Sequence, residues 1–396
     1  MAPSASEPTP SSLRSALPAV LFVAAVFFIN YTDRAILGPL LVHMETALGL
    51  DHVQASSLLL SLSTGMSIGL LFSGIAASLI RPRLLISFSA MGCGIMLLLL
   101  TRAASLAEAR LLILGLGLAA GFYLTAAMAT LGSLVKSEDW SRTIAVHELA
   151  PNISFIVAPL LAESAAALWG WQSGFFIMGC LSLAAGFLFL LFGKGGFRKA
   201  DRPSASGLLL ALRRPVFWGF TWLFGLCVAG EFAPFSILPL SLTAEQHLSS
   251  ETASRLLAFS RLASPFVVVA GGWATARLGA TTCLMLFLLV HGLALCALAL
   301  PAPMVGLPGL FAAMLGQAMA TAFVFPPLFT LLAQSFPLGQ QPLLLSIAVP
   351  LGTCFGTGFI PLLLGASGQY ASFSLGYLVF GLVCLATLPF LRAISR

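Results

Sequence analysis

Twelve apolar stretches, each near the length of a bilayer crossing, run through this chain with short connections between most of them. A hydrocarbon core asks for about 20 apolar residues per helix. The predicted spans cover roughly 17–42, 54–79, 84–101, 106–134, 143–167, 173–193, 215–241, 253–276, 281–300, 305–334, 342–365 and 370–391. In lipid, backbone polar groups must be satisfied within the segment, so stretches of this length read as helices. Charged residues make up only 8% of the 396 residues, against about a quarter in soluble proteins. That excludes a water-soluble protein, a nucleic-acid binder and a disordered chain.

The polar segment up to Ser15 precedes an apolar run that holds Asp33 and Arg34. That run is too long for a signal peptide and reads as a retained first helix. All seven cysteines fall in apolar runs without a CxxC, so buried free thiols are expected, with no metal site. The spans contain no HExxH, no GxSxG and no paired catalytic aspartates. Catalytic residues, a metal and a cofactor are therefore not expected. Without a nucleotide-binding loop, direct ATP drive is not expected either.

Lys and Arg placement sets the orientation. With the N-terminus cytoplasmic, fourteen of the 19 basic residues fall inside: Arg14, Arg81, Arg83, Lys136, Arg142, Lys194, Arg198, Lys199, Arg202, Arg213, Arg214, Arg277, Arg392 and Arg396. Arg102, Arg110 and Arg255 fall outside, while Arg34 and Arg261 lie within spans. A multi-pass protein of the cell (inner) membrane with both termini cytoplasmic is expected. The net charge of +6 is then mainly a topology signal, and no clustered basic domain suggests nucleic acid.

The chain reads as a cytoplasmic tail (1–15), a six-helix bundle (16–193), a basic central loop (194–214), a second six-helix bundle (215–392) and a short tail (393–396). Near an offset of 200, Gly38-Pro39 is echoed by Leu238-Pro239, Pro151 by Pro350 and Gly74 by Gly272. Six helices per repeat keep the two halves in the same orientation, related by an axis along the membrane normal, with the solute between them.

A charge in hydrocarbon costs a few kcal/mol or more, so intramembrane charges are rare and face a cavity or a partner. At about 1.5 Å per residue, Arg34, Glu231 and Arg261 fall in one layer at or slightly outward of mid-depth. Guanidinium matches carboxylate bidentately, which points to an organic anion. Asn30 shares a helical face with Arg34 at i, i+4, and that face is placed toward the cavity. Asp33 points about 100° away. Structural pairing, Asp33 with Arg34 and Glu231 with Arg261, is the competing reading. His147-Glu148-Leu149-Ala150-Pro151-Asn152 is unusual for a membrane helix. His147, Glu148 and Asn152 are candidates for proton coupling or gating, as are Asp33 and Glu231. A helix start stabilised by Glu148 near its N-terminal dipole is the alternative. Glu163 reads as interfacial. Pro326-Pro327 is expected to bend its helix, since two donors are missing.

These features resemble the major facilitator superfamily over essentially the whole chain. Asn30-Tyr31-Thr32-Asp33-Arg34 resembles the helix-1 signature of its organic anion branch. Gly272-Trp-Ala-Thr-Ala-Arg277-Leu-Gly279 resembles the loop signature Gly-x-Leu-Ala-Asp-Arg-x-Gly, with Ala276 at the acidic position. The matching stretch after helix 2, Gly74 to Arg83, is degraded. Arg110, Gly115, Gly117 and Gly121 resemble the helix-4 pattern, and Trp169-Gly-Trp171 the start of helix 6.

The resemblance implies twelve transmembrane helices in two pseudo-symmetric bundles, alternating access, and a monomer in lipid. It implies that helices 1, 7 and 8 line the cavity, with Tyr123 and Gln317 as further solute contacts beside Arg34, Arg261 and Asn30. Helices 3, 6, 9 and 12 would be peripheral, making His291 structural. The proton-linked Glu often present in helix 4 is replaced by Ala119-Ala120-Gly121. The expected function is secondary transport of a small organic anion, coupled to protons. The alternative is a proton-coupled drug or metabolite exporter, whose helix-5 signature is poorly matched by Ala158-Pro159.

Overall fold

The computed structural model describes residues 11–196, 213, 215–300, 302–335 and 341–394. Much of the basic central loop, with Arg198, Lys199, Arg202 and Arg214, lies outside the described residues, as does Arg396. Among the described residues, twelve helices are long and apolar enough to cross a membrane. They are α1 (Leu13–Leu48), α2 (His52–Leu79), α3 (Pro82–Leu100), α4 (Leu106–Leu134), α5 (Arg142–Trp169), α6 (Gln172–Phe192), α7 (Pro215–Ala244), α8 (Ser250–Leu278), α9 (Ala280–Leu298), α10 (Met304–Leu332), α11 (Leu345–Tyr370) and α12 (Phe373–Leu391). The all-helical, twelve-span expectation is borne out.

An even number of crossings returns the chain to its starting side. That side is called the terminal side below, and the other the far side. Four helix starts on the far side, those of α2, α4, α8 and α12, are closed by side chains. Asp51 Oδ1 accepts from Gln54 N at 2.7 Å and Gln54 Oε1 from Asp51 N at 3.2 Å, a reciprocal cap on α2. Ser105 and Ser249 cap α4 and α8. The Glu245 carboxylate, at the end of α7, accepts from the Phe373 and Ser374 amides that open α12.

Five spans are interrupted inside the membrane. α1 breaks at Ile36, α4 at Phe122 and α8 at Arg261. α10 stops at Ala322 and resumes at Phe325, directly before Pro326-Pro327, where the missing donors were expected to bend it. α11 carries a π-helical turn at Cys354–Phe359. Such irregular backbone is tolerated at depth where protein or a water-lined space surrounds it. These breaks lie close to Arg34, Tyr123, Arg261 and Gln317.

Apolar side chains gain little from contact with one another in lipid, so close backbone approach does more of the packing. Gly65 and Gly69 of α2 face Gly117 and Gly121 of α4. A Cβ on Gly117 would collide with the Leu62 carbonyl, and one on Gly121 would come within 2.5 Å of the Met66 carbonyl. This contact sets the position of Met66, which touches Arg34. Gly117→Val is expected to lower stability by about 1–3 kcal/mol or more, because backbone cannot give way as a side chain can. Gly132→Ala, whose new methyl would meet only the Trp140 ring at 3.7 Å, is expected to stay within about 0.5 kcal/mol. Thermal unfolding in detergent compares the two. Equal melting would show that the α2–α4 approach does not limit stability.

The first six spans and the last six meet closely on the far side. A Cβ on Gly38 would lie 2.7 Å from Ser236 Cα, and one on Gly365 would strike Ser56. At mid-depth, Ser67 Oγ donates to the Pro350 carbonyl at 2.8 Å. On the far side His52 N donates to Gln369 Oε1 at 3.1 Å.

Candidate functional site

Three groups of polar side chains stand between or beside the halves. The first surrounds Arg34. Its Nε donates to the Asn30 carbonyl at 3.3 Å, and one amino group lies 3.1 Å from Met66 Sδ. The guanidinium sits over the Tyr31 ring, 4.5 Å from its centroid. The second amino group has no protein partner among the described residues, and the side chain keeps 7% exposure. The guanidinium is thus held in place with one edge unused.

Asn30 does not share this orientation. Its amide reaches Ser89 Oγ at 3.5 Å and Cys93 Sγ at 3.6 Å on α3. The expectation that Asn30 faces the cavity beside Arg34 is corrected: polar partners inside the first six spans satisfy its amide. Asp33 turns toward α6, where Ser182 Oγ donates to Oδ2 at 2.6 Å. Among the described residues no ion pair joins Asp33 to Arg34, nor Glu231 to Arg261.

The second group is built on α7, α8 and α10. Arg261 is only 1% exposed. Its amino groups donate to Thr321 Oγ1, Gln317 Oε1 and the Glu231 carbonyl, each at 3.3 Å. Gln317 Nε2 donates in turn to the Gly230 carbonyl at 2.7 Å. The cation lies over Phe155 of α5 at 4.9 Å and Phe235 of α7 at 5.6 Å. Each ring face contributes about 0.5–2 kcal/mol, and each hydrogen bond from a charged group about 1.5–3 kcal/mol. Together these offset a burial cost of a few kcal/mol without a direct ion pair. Arg261 and Gln317, expected as solute contacts, are hydrogen-bonded to one another and to the α7 carbonyls of Glu231 and Gly230.

Glu231 is different. α7 is enclosed almost throughout, yet Glu231 is partly exposed on it. Among the described residues its carboxylate has no hydrogen-bond partner. Tyr31, Arg34, Glu148, Glu231 and Arg261 interact electrostatically across the gap between the halves. The layer expected from residue counting is therefore brought together. Its exposed groups are the edge of Arg34 and the carboxylate of Glu231.

The third group lies toward the terminal side. His147, fully buried, stacks on Phe27 at 4.1 Å, and Phe27 stacks on Tyr123 at 5.0 Å. The Tyr123 hydroxyl donates to the Val23 carbonyl at 2.8 Å. With that proton committed, Tyr123 accepts from His147 Nε2 at 3.3 Å. His147 Nδ1 lies 3.1 Å from Glu148 Oε1. His147 and Glu148 thus form a hydrogen-bonded unit. The Glu148 side chain is 44% exposed and gives that unit a route outward. Asn152 donates to the Glu148 carbonyl at 3.0 Å. Tyr123, at 1% exposure, belongs to this stack.

One residue was underweighted in the sequence. Glu163, read as interfacial, accepts from Ser250 Oγ at 2.5 Å and Ser254 Oγ at 3.3 Å, and lies 3.2 Å from His43 Nε2. One carboxylate oxygen thereby ties α1, α5 and α8 together across the far side. No local motif marks this cluster, whose members are brought together only by the fold. Glu163→Ala is expected to loosen that closure. The reporter is Ser236→Cys, buried against Gly38, labelled by a membrane-impermeant thiol reagent from the far side. Labelling should rise several-fold over the same cysteine with Glu163 intact. Unchanged labelling would show that the cluster does not hold the halves. His291, read as structural, is fully buried between Phe287 and Phe380, with both ring nitrogens unpartnered among the described residues. A Cβ on Gly230 would lie 3.0 Å from its Nε2, so the ring sits directly behind the residue before Glu231.

A sequence profile described as Major Facilitator Superfamily matches residues 23–347. No curated protein sequence matches. Solved structures share the architecture. A bacterial homolog of the human lysosomal transporter Spinster, inward-facing and unoccupied, aligns at a TM-score of 0.79 with 15% identity, covering 98% of each chain. The nucleoside transporter NupG aligns at 0.78 with 15% identity, covering 96% of this chain and 100% of its own. A POT family transporter in complex with a thioalcohol-conjugated peptide aligns at 0.78 with 13% identity, covering 97% and 99%. At these identities the likeness is one of fold.

Proposed function

Because this chain belongs to the Major Facilitator Superfamily, and is thus a membrane transport protein for a small solute rather than an enzyme, we propose that it carries a small organic anion by alternating access with a coupled proton. The observation that carries the reading is the unused edge of Arg34, a fixed cationic donor at mid-depth between the halves. A carboxylate accepts two parallel hydrogen bonds from such an edge.

The proton is assigned to the His147–Glu148 unit, which has an exposed carboxyl. Glu231 is the second candidate carrier. Asp33, fixed by Ser182 away from that gap, takes a supporting role. Asn152 supports the backbone at Glu148, and Asn30 helps to hold the Arg34 segment. The bias of Lys and Arg toward the terminal side supports cytoplasmic termini in a cell (inner) membrane, and the proposed working unit is a monomer. On that orientation the closed far side faces outward, and Glu163 latches it. The two six-helix bundles, joined by the central loop, rock about the shared layer.

Export of a cationic drug or metabolite is a second reading. It is favoured by one observation: Glu231 and Glu148 expose carboxylates, while Arg261 is sealed. Thermal stabilisation of the purified protein separates the two. A panel of carboxylates, sulfonates, phosphates and lipophilic cations is scanned, and carboxylates are expected to raise the melting temperature. Stabilisation by lipophilic cations alone would replace the anion reading with the second one.

A further inference from the structure

We propose that the solute of the central site carries an ammonium group as well as a carboxylate, the carboxylate on Arg34 and the ammonium on Glu231. The inference rests on Arg34 being the anion anchor and adds a second contact to it.

The argument is one of unmet hydrogen-bonding capacity. Polar groups in an enclosed site are almost all paired, and unpaired ones mark where a ligand, an ion or water completes them. An ionised carboxylate has about four acceptor positions and no donor. Glu231 has none of these filled by protein among the described residues, although it projects from the most enclosed helix. Arg261 does not fill them. Its amino groups donate to the Glu231 carbonyl, Gln317 and Thr321, and its Nε, buried, has no partner among the described residues. The carboxylate is therefore near a cation yet partly exposed and unpaired among the described residues. Arg34 shows the opposite deficit, with unused N–H donors and no acceptor.

The two deficits lie on opposite halves and are bridged by aromatic rings. Arg34 covers Tyr31, Tyr31 packs edge-on to Phe155 at 5.2 Å, and Phe155 packs edge-on to Phe235 at 4.5 Å. A solute with an anionic acceptor at one end and a cationic donor at the other, joined by a short apolar segment, complements all three features. It would also link the halves, because Arg34 and Tyr31 belong to the first six spans and Glu231 to the last six. A plain alkanoate would leave Glu231 unsatisfied. A plain amine would leave Arg34 unsatisfied.

Isothermal titration of the purified full-length protein tests this with three probe sets. They are straight-chain ω-amino carboxylates of graded length, the matching alkanoates and the matching alkylamines. One length of amino carboxylate is expected to bind about ten-fold or more tightly than its alkanoate. Glu231→Gln is expected to bring the two within about two-fold, while Arg34→Gln weakens both. Glu231→Asp should retain the preference and move its optimum to a longer chain, which tests the contact even where the Gln variant fails to fold. Equal binding of amino carboxylates and alkanoates by the unaltered protein would overturn the ammonium contact and leave the anion reading standing. Binding of alkylamines alone would overturn both. Binding of none of the three sets would also overturn the inference.

Discussion

Arg34→Gln is expected to cut uptake of a carboxylate solute into proteoliposomes by about ten- to a hundred-fold while the protein still folds. A hydrogen bond from a charged donor has a net worth of about 1.5–3 kcal/mol, which converts to that range. The fold should survive because the Arg34 side chain donates only to one carbonyl and one thioether and packs on one ring. Arg34→Lys should recover part of the loss, since an ammonium keeps the charge but lacks the planar fork. Arg261→Gln is expected to behave otherwise. Its guanidinium joins α7, α8 and α10 and supports two rings, so melting temperature should fall together with uptake. Loss of uptake at Arg34 without loss of stability distinguishes an anchor from a brace. Normal uptake by Arg34→Gln would place the solute elsewhere.

His147→Phe is the second large effect. The substituted ring keeps the stack on Phe27 and removes both nitrogens. Accumulation should stop responding to an imposed pH gradient, while exchange of solute across the membrane without a gradient continues. With one proton per solute, one pH unit is worth about 1.4 kcal/mol, or about ten-fold in accumulation, and that factor is what disappears. Glu148→Gln should give the same result, because an amide can face Nδ1 without a titratable proton. Retained gradient dependence in both variants would move the carrier to Glu231.

The spans were legible because the bilayer imposes a length and a composition on every crossing, and Pro326-Pro327 announced its own break. The mid-depth layer was also legible. Counting residues along α1, α7 and α8 placed Arg34, Glu231 and Arg261 together, and they interact in the folded chain. What counting does not supply is direction. Asn30 lies one turn from Arg34 and still points into α3, because Ser89 and Cys93 are waiting there. Arg261 looked like a solute ligand by charge and depth, but the α8 break turns it against Gln317 and Thr321. Tyr123 and His147 are 24 residues apart, and nothing local says that Phe27 stacks on both of them. Glu163 resembled any interfacial acid until the fold brought His43, Ser250 and Ser254 to one of its oxygens. Depth follows from one helix at a time, whereas partners depend on how helices from both halves meet.

The central claim is that solute and proton cross together through this layer. Internal pH, recorded in proteoliposomes while a carboxylate solute enters with no imposed ion gradient, tests it most directly. Acidification that tracks uptake, absent from protein-free liposomes and from Glu148→Gln, is the predicted result. Uptake by the unaltered protein at constant internal pH would contradict the account.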